Sequence, residues 1–247
     1  MSGGAMLPGK VTAVDSPAGV AAAAAAWIVG IAQETLTRHD RFRIALAGGS
    51  TPRALYRLLA RDYGADRAHW RAWEVYFGDE RACPPDDPAS NCRMAREALL
   101  DLVPVRPELI HRMEAERADL DAAAAEYSSI LASTCPPAAP GSAPRLDCIL
   151  LGLGDNGHTA SLFPGDPALQ VRDRWAVRSR ADYAPFDRIT LTYPVLNAAA
   201  HIAFLVTGPT KGEALRGVAE GRVPAAGVRP PDGELRWFLD TVAVGSL

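Results

Sequence analysis

The chain has 247 residues, of which 48% are hydrophobic and 22% are charged. A chain of this length and composition buries a sizeable core without disulfide or metal staples, so we predict one α/β domain over residues 1–247. The formal net charge of −3 excludes a strong attraction to nucleic acid or to an anionic membrane surface, and neither partner is predicted.

An alanine-rich apolar run near the amino terminus predicts a helix and not a signal peptide. The run Val20–Ala32 continues into Gln33 and Glu34 and lies behind a weakly charged start. Alanine is the strongest helix former, and the run is too short to span a bilayer. We therefore predict a helix of a soluble protein over Pro17–Arg38.

Apolar segments alternate with helical patterns along the rest of the chain. This alternation predicts a mainly parallel, twisted sheet with helices on both faces, a Rossmann-like α/β fold. The predicted strands are Phe42–Ala47, Glu74–Phe77, Leu146–Leu151, Arg188–Thr192, Ile202–Val206 and Arg236–Leu239. The other predicted helices are Pro52–Asp62, Asn91–Leu102, Ala118–Ser133 and Thr210–Glu220. The Pro-rich and Ala-rich stretch Thr134–Pro144 predicts a surface excursion.

The cysteines predict neither a disulfide framework nor a metal site. They include no C-x-x-C pair, and no histidines lie near them at the spacing that a zinc site requires. We interpret them as reduced thiols of a cytoplasmic protein. They are Cys83, Cys92, Cys135 and Cys148.

The first candidate for a ligand site is the segment Gly48-Gly49-Ser50-Thr51-Pro52, which follows a strand and opens a helix. The two glycines let the backbone approach a ligand, and the hydroxyls of Ser50 and Thr51 add donors to the free N–H groups of a helix start. The segment predicts a phosphate-binding loop. The alternative is a tight turn with a Ser or Thr cap.

The second candidate is Phe77-Gly78-Asp79-Glu80-Arg81, which also follows a strand. Ser90-Asn91, after a proline-rich loop, is suited to cap the next helix. Taken alone, Asp79, Glu80 and Arg81 are equally consistent with a surface ion-pair cluster of little energetic weight.

The third candidate is the glycine-rich segment that delivers His158. Gly152, Gly154 and Gly157 have the G-x-G-x-x-G spacing of a dinucleotide site. Pro164 interrupts any following helix within a few residues, so a catalytic loop that presents one histidine at a strand end is the better interpretation. A structural histidine is the alternative.

The fourth candidate is a pair of cations, Arg188 at the start of a predicted strand and Lys211 after another. A single exposed charge is usually a solvated surface residue. Only Lys211 follows its strand, so composition does not place Arg188 at the site.

Five segments in register resemble the 6-phosphogluconolactonases, over a stretch from about Ile44 to Lys211. The segments are Ala47–Pro52, Gly78–Arg81, Ser90-Asn91, Gly152–Pro164 and Arg188–Thr192. The resemblance implies the fold that these lactonases share with glucosamine-6-phosphate isomerase/deaminases. It also implies hydrolysis of a sugar-phosphate lactone in the oxidative pentose phosphate pathway, without a cofactor.

The resemblance also implies residue roles. His158 matches the family's catalytic histidine, which we expect to act as the general base on water. Asp79 and Arg81 match polar residues of the same pocket, and Arg81 is the better candidate to stabilise negative charge. The family's phosphate-binding elements match Gly49, Ser50, Thr51, Arg188 and Lys211.

Two other functions remain open at this point. Asn156, where many lactonases carry aspartate, raises the isomerase alternative, but those isomerases need an acidic residue where this chain has Phe163, and an aromatic residue where it has Arg81. A sugar-phosphate sensor without catalysis is the second alternative, although the chain shows no DNA-binding segment or basic arm. A monomer is the default expectation for the oligomeric state.

Overall fold

Six parallel strands form the central sheet of the computed structural model, which describes residues 6–137 and 139–245. The strands of the described chain are β1 (Lys10–Val14), β2 (Phe42–Leu46), β3 (Trp73–Phe77), β4 (Asp79–Arg81), β5 (Cys148–Leu151), β6 (Ala176–Arg180), β7 (Asp187–Leu191), β8 (His201–Val206) and β9 (Glu234–Asp240). The central sheet has the order β1-β9-β8-β5-β2-β3, and each neighbouring pair is parallel. The predicted α/β fold with a mainly parallel sheet is confirmed.

Helices cover both faces of this sheet. They are α1 (Pro17–Leu36), α2 (Ser50–Tyr63), α3 (Arg67–Trp70), α4 (Asn91–Ala95), α5 (Leu120–Thr134), α6 (Tyr193–Ala198), α7 (Gly212–Ala219) and α8 (Thr241–Val244). Successive strand residues point to opposite faces, so Ile44 and Leu46 pack in one hydrophobic cluster and Ala45 in another. Helices α1 and α2 belong to the first cluster, and α5 and α7 belong to the second.

Helix α1 is long and apolar enough to cross a membrane by length and composition, which makes it the one such helix among the described residues. The core helix of a soluble protein passes the same test. Val20, Ala24 and Ile28 of α1 have no exposed surface, and they pack against the sheet and α2. We therefore interpret α1 as a core helix, as the sequence predicts.

A second, smaller sheet contains one of the predicted strands. Strand β7 pairs antiparallel with β4 on one side and β6 on the other. The expectation that Arg188–Thr192 belongs to the main sheet is therefore wrong. An apolar run indicates a strand but does not specify its partner, and β7 follows β6 through a short turn that allows only antiparallel pairing.

Two predicted helices differ in their local form. The region predicted as one helix over Asn91–Leu102 is α4 followed by a π-helical turn over Arg96–Leu100. The region predicted as Thr210–Glu220 begins with a 3-10 turn at Pro209–Lys211 and continues as α7. The excursion predicted over Thr134–Pro144 is exposed at Pro136 and Pro137 and at 139–142, while Ala138 lies outside the described residues.

Candidate active site

The largest concentration of predicted site residues surrounds a cavity of about 240 Å³ at the carboxyl ends of the central strands. The chain passes from β2 to β3 on one side and from β5 to β8 on the other, so the crevice between β2 and β5 is a topological switch point. The structure brings all of the sequence-predicted site residues to this cavity. They are Gly49, Ser50, Thr51, Asp79, Arg81, His158, Arg188 and Lys211.

The loop after β2 presents a helix start to the cavity. Gly49 is the N-cap of α2, with a φ of 103°, and no side chain caps the helix. The predicted alternative of a Ser or Thr cap is therefore wrong, and the N–H groups of the first turn are available to an anion. A Cβ on Gly48 would lie 2.0 Å from Oδ1 of Asn91, so a side chain there would displace Asn91 from its hydrogen bond with Asp79. Thr51 shares a 2.8 Å hydrogen bond with Thr207, which follows β8.

Asp79 and Glu80 are buried and do not form the surface ion-pair cluster that was the alternative. Asp79 accepts hydrogen bonds from Ser161 Oγ at 2.6 Å and from Asn91 Nδ2 at 3.1 Å, which fix its carboxylate beside the cavity. Glu80 points the other way and accepts from the N–H groups of Asn91 and Cys92. Burial raises the pKa of Glu80. Glu80 therefore anchors the start of α4.

Arg81 and Arg188 occupy directly opposite positions in the pairing of β4 with β7. Arg188 is 1% exposed, and its Nη1 has no hydrogen-bond partner among the described residues. Nε of Arg81 likewise lacks a partner, although its Nη1 donates to the carbonyl of Ala89. Burial and the charge of Arg81 lower the pKa of Arg188. Two guanidinium groups line one cavity, and one nitrogen of each lacks a partner in the described chain, an arrangement that suits an anionic ligand.

His158 is held in one tautomer by Asn156. Oδ1 of Asn156 lies 3.1 Å from the backbone N–H of His158 and 2.6 Å from its ring Nδ1. The backbone N–H can only donate, so the amide atom facing it is the oxygen. The same oxygen can only accept from Nδ1, which therefore carries the proton and leaves Nε2 as the basic nitrogen.

The surroundings of His158 favour its neutral form. Burial lowers the pKa of the imidazole, and the nearby charges of Lys211 and Arg188 act in the same direction, whereas Asp79 opposes them. Close packing fixes the ring, because a Cβ on Gly154 would lie 2.1 Å from it. The ring of Phe163 packs on the imidazole with a centroid separation of 4.6 Å. A neutral, oriented imidazole at a cavity is suited to general-base catalysis.

Lys211 reaches the cavity from the turn after β8. Its Nζ lies 2.6 Å from Oδ1 of Asp155, which also accepts from Thr210 Oγ1 at 3.1 Å. The hydrogen bond from Lys211 lowers the pKa of Asp155. The carboxylate of Asp155 is 66% exposed, so this pair is a solvated one that an anionic ligand can displace.

Several residues of the cavity were missed by the sequence analysis. Ser161 lies inside the glycine-rich segment Gly152–Pro164, and Asp155 of the same segment contacts the cavity residue Lys211, but neither was assigned a contact. Tyr183 and Thr207 lie outside every motif, and no pattern in the sequence marks them. The glycine-rich segment itself leads into turns and a 3-10 helix at Pro167–Gln170, not into the long helix of a dinucleotide site.

Comparison with known proteins identifies the family. The family model for glucosamine-6-phosphate isomerases/6-phosphogluconolactonase matches residues 15–237. A protein of Nostoc sp. named 6-phosphogluconolactonase is 43% identical over 216 residues, which are 86% of this chain and 87% of the relative. A relative of the same name from Synechocystis sp. is 44% identical over 204 residues, 81% and 82% of the two chains.

A solved structure supports the same assignment. The 6-phosphogluconolactonase of Trypanosoma brucei superposes with a TM-score of 0.87 at 29% identity, over 98% of this chain and 100% of the other. A match of this extent in sequence and fold leads to one conclusion: the chain belongs to the glucosamine-6-phosphate isomerase/6-phosphogluconolactonase family.

Proposed function

We propose that this protein hydrolyses 6-phospho-D-glucono-1,5-lactone to 6-phospho-D-gluconate in the oxidative pentose phosphate pathway. The observation that carries the proposal is the hydrogen bond between ring Nδ1 of His158 and Oδ1 of Asn156, which leaves Nε2 as the basic nitrogen of a histidine that lines the cavity. The relatives at 43% and 44% identity carry the name of this activity.

The phosphate of the substrate binds at the start of α2. The N–H groups of the uncapped first turn and the hydroxyls of Ser50 and Thr51 supply donors, and Lys211 and Arg188 supply positive charge. When the substrate binds, Lys211 leaves the carboxylate of Asp155 and pairs with the phosphate. Anchoring this end of the sugar fixes the position of the lactone ring at the other end of the cavity.

Nε2 of His158 then takes a proton from water as the water oxygen attacks the lactone carbonyl carbon. The tetrahedral oxyanion that forms lies near Arg81, a residue of the cavity wall whose positive charge stabilises it. Collapse breaks the bond between this carbon and the ring oxygen, and the imidazolium returns its proton to that oxygen. The product acid loses its proton to solvent. The reaction as written forms no covalent intermediate and needs no cofactor.

Asp79 supports the site without transferring a proton. Its carboxylate accepts from Ser161 and Asn91 and lies close enough to His158 to favour the imidazolium. The negative charge therefore stabilises the protonated ring that appears after water attacks, while burial keeps the resting ring neutral.

The isomerase alternative requires an acid beside the histidine to assist opening of the sugar ring. Phe163 occupies that position, is 4% exposed and packs on the imidazole, and it has no proton to transfer. The sensor alternative gives no role to a basic nitrogen held in one tautomer. The lactonase accounts for both features. We further propose that the enzyme acts in the cytoplasm as a monomer.

The direct test is hydrolysis of freshly prepared lactone. Acid release is followed above the spontaneous background, with glucosamine 6-phosphate assayed in parallel. We expect rapid acid release and no deamination. Deamination without lactone hydrolysis would support the isomerase, and binding of the sugar phosphate with neither reaction would support the sensor.

A further inference from the structure

Tyr183 lies in the turn between β6 and β7 and lines the cavity, although 46% of its surface is exposed. Its ring centroid lies 6.4 Å from that of His158 and 6.0 Å from that of Phe163. The guanidinium carbon of Arg188 lies 5.3 Å from the same centroid. The partly exposed ring of Tyr183 is therefore in contact range of three residues: His158, Phe163 and Arg188.

The same turn contains an internal comparison. Phe186 is 47% exposed, almost the same as Tyr183. Its ring lies beside the guanidinium of Arg180, with a separation of 5.5 Å, and it does not line the cavity. Exposure alone therefore does not place an aromatic side chain of this turn at the cavity. Only Tyr183 is directed toward the site.

We propose that Tyr183 is a further substrate-binding residue, whose ring packs on the carbon-bound hydrogens of the closed lactone ring. The inference rests on the proposed function and deepens it. Binding sites combine apolar and aromatic walls with a few polar groups, and here the polar groups face the phosphate and the carbonyl. Phe163 is already covered by His158, so Tyr183 supplies the exposed aromatic surface next to the base.

This geometry predicts discrimination between substrate and product. The closed six-membered ring offers a face of C–H groups to an aromatic ring, whereas the open-chain product has no such face. Tyr183 therefore contributes to binding of the lactone and not to binding of 6-phosphogluconate. A residue that acted only by positioning Arg188 would instead affect both molecules, because both carry the phosphate.

The experiment compares Tyr183→Ala, Tyr183→Phe and the matched control Phe186→Ala. We expect Tyr183→Ala to raise the KM for the lactone about fivefold, the range expected for loss of one aromatic contact. The inhibition constant of 6-phosphogluconate should stay within about twofold of wild type for the same reason. Tyr183→Phe keeps the ring but removes the hydroxyl that interacts with Arg188, so its KM should stay well below that of Tyr183→Ala. Phe186→Ala should retain the wild-type KM. Thermal unfolding midpoints verify that the variants are folded.

Three results would overturn the inference. These are an unchanged KM in Tyr183→Ala, an equal weakening of lactone and product, or a Tyr183→Phe variant that behaves like Tyr183→Ala. The wild-type assay shows whether the role of Tyr183 or the proposed lactonase activity has failed. A wild-type protein that does not hydrolyse the lactone overturns the proposed function first, whereas an active wild type with any of the three results overturns the role of Tyr183 alone.

Discussion

Arg81 and Arg188 are direct cross-strand partners in the small antiparallel sheet, so two guanidinium groups share one cavity. Like charges directly opposite each other are unfavourable in a sheet. Nη1 of Arg188 and Nε of Arg81 also lack hydrogen-bond acceptors in the described chain. Both arginines line the cavity, so we expect a negatively charged ligand there to offset their mutual repulsion.

Replacing Arg188 with methionine tests this arrangement, since Met keeps an apolar stem and removes the charge. We expect the KM for the phosphorylated lactone to rise about tenfold or more, because a hydrogen bond to a charged group contributes roughly 1.5–3 kcal/mol. Steady-state kinetics measure the effect. Arg180→Met is the control, since Arg180 is exposed on the neighbouring strand and pairs with Asp187 outside the cavity. Equal KM values in the two variants would exclude Arg188 from substrate binding.

Replacing His158 with alanine tests the base. We expect kcat to fall by about 10²–10⁴-fold, the usual contribution of general-base catalysis, because no other neutral imidazole lines the cavity in the described chain. Calorimetric titration with 6-phosphogluconate should give a nearly unchanged Kd, since the phosphate contacts remain. The exposed His39, far from this cavity, provides the control variant His39→Ala. Near-normal turnover in His158→Ala would show that another group activates water.

Asn156→Asp tests how the neighbour of His158 sets its pH dependence. Burial lowers the pKa of His158, so activity that needs the neutral ring should rise with pH through a midpoint below the ordinary imidazole value of about 6.5. A carboxylate at position 156 stabilises the imidazolium and raises that pKa. The acid limb of kcat/KM should therefore move to higher pH in the variant. Ring-proton NMR titration of both proteins checks the same shift, and identical midpoints would contradict the contact with Asn156.

Gly154→Ala tests whether position 154 must lack a side chain for the imidazole of His158 to keep its position. The added Cβ would lie 2.1 Å from the ring of His158, so the ring must leave its position. We expect kcat to fall by about tenfold or more, because a misplacement of about 1 Å in a catalytic group strongly lowers the rate. The thermal unfolding midpoint should change little, because the side chain of His158 moves more easily than backbone. Gly30→Ala meets no atom within 4 Å and is the control. Full activity in Gly154→Ala would mean that the loop tolerates the methyl group.

The central sheet was predictable because its buried strands are continuous apolar runs, as in residues 148–151. Strand β1 was missed because three of its five residues are exposed, which leaves no apolar run. Strand β4 consists of Asp79, Glu80 and Arg81, and these residue types do not favour strands. Its pairing with β7 depends on tertiary contacts that a local pattern does not contain.

The site was predictable where its residues follow strands of the central sheet, as Ser50, His158 and Lys211 do. The resemblance to the lactonases was needed for Arg188, because it lies near the beginning of its strand. The antiparallel direction of β7 explains its position, since this direction places Arg188 opposite Arg81. Tyr183 carried no signal, because it belongs to no motif and its orientation is a property of the folded chain.

The cavity is lined by residues of both sheets, and the two sheets differ in how easily their connections can change in length. His158 and the loop that contains Ser50 and Thr51 follow strands of the core sheet, where a change in length would disrupt packing on both faces. Tyr183 instead lies on a turn of mostly exposed residues, 181–186, which closes a hairpin outside that core. Lengthening such a turn costs little free energy, about 0.6 kcal/mol for each doubling of a flexible loop. We therefore expect insertions in this turn to change the Tyr183 side of the cavity while His158 and the loop at Ser50 keep their positions on the core sheet.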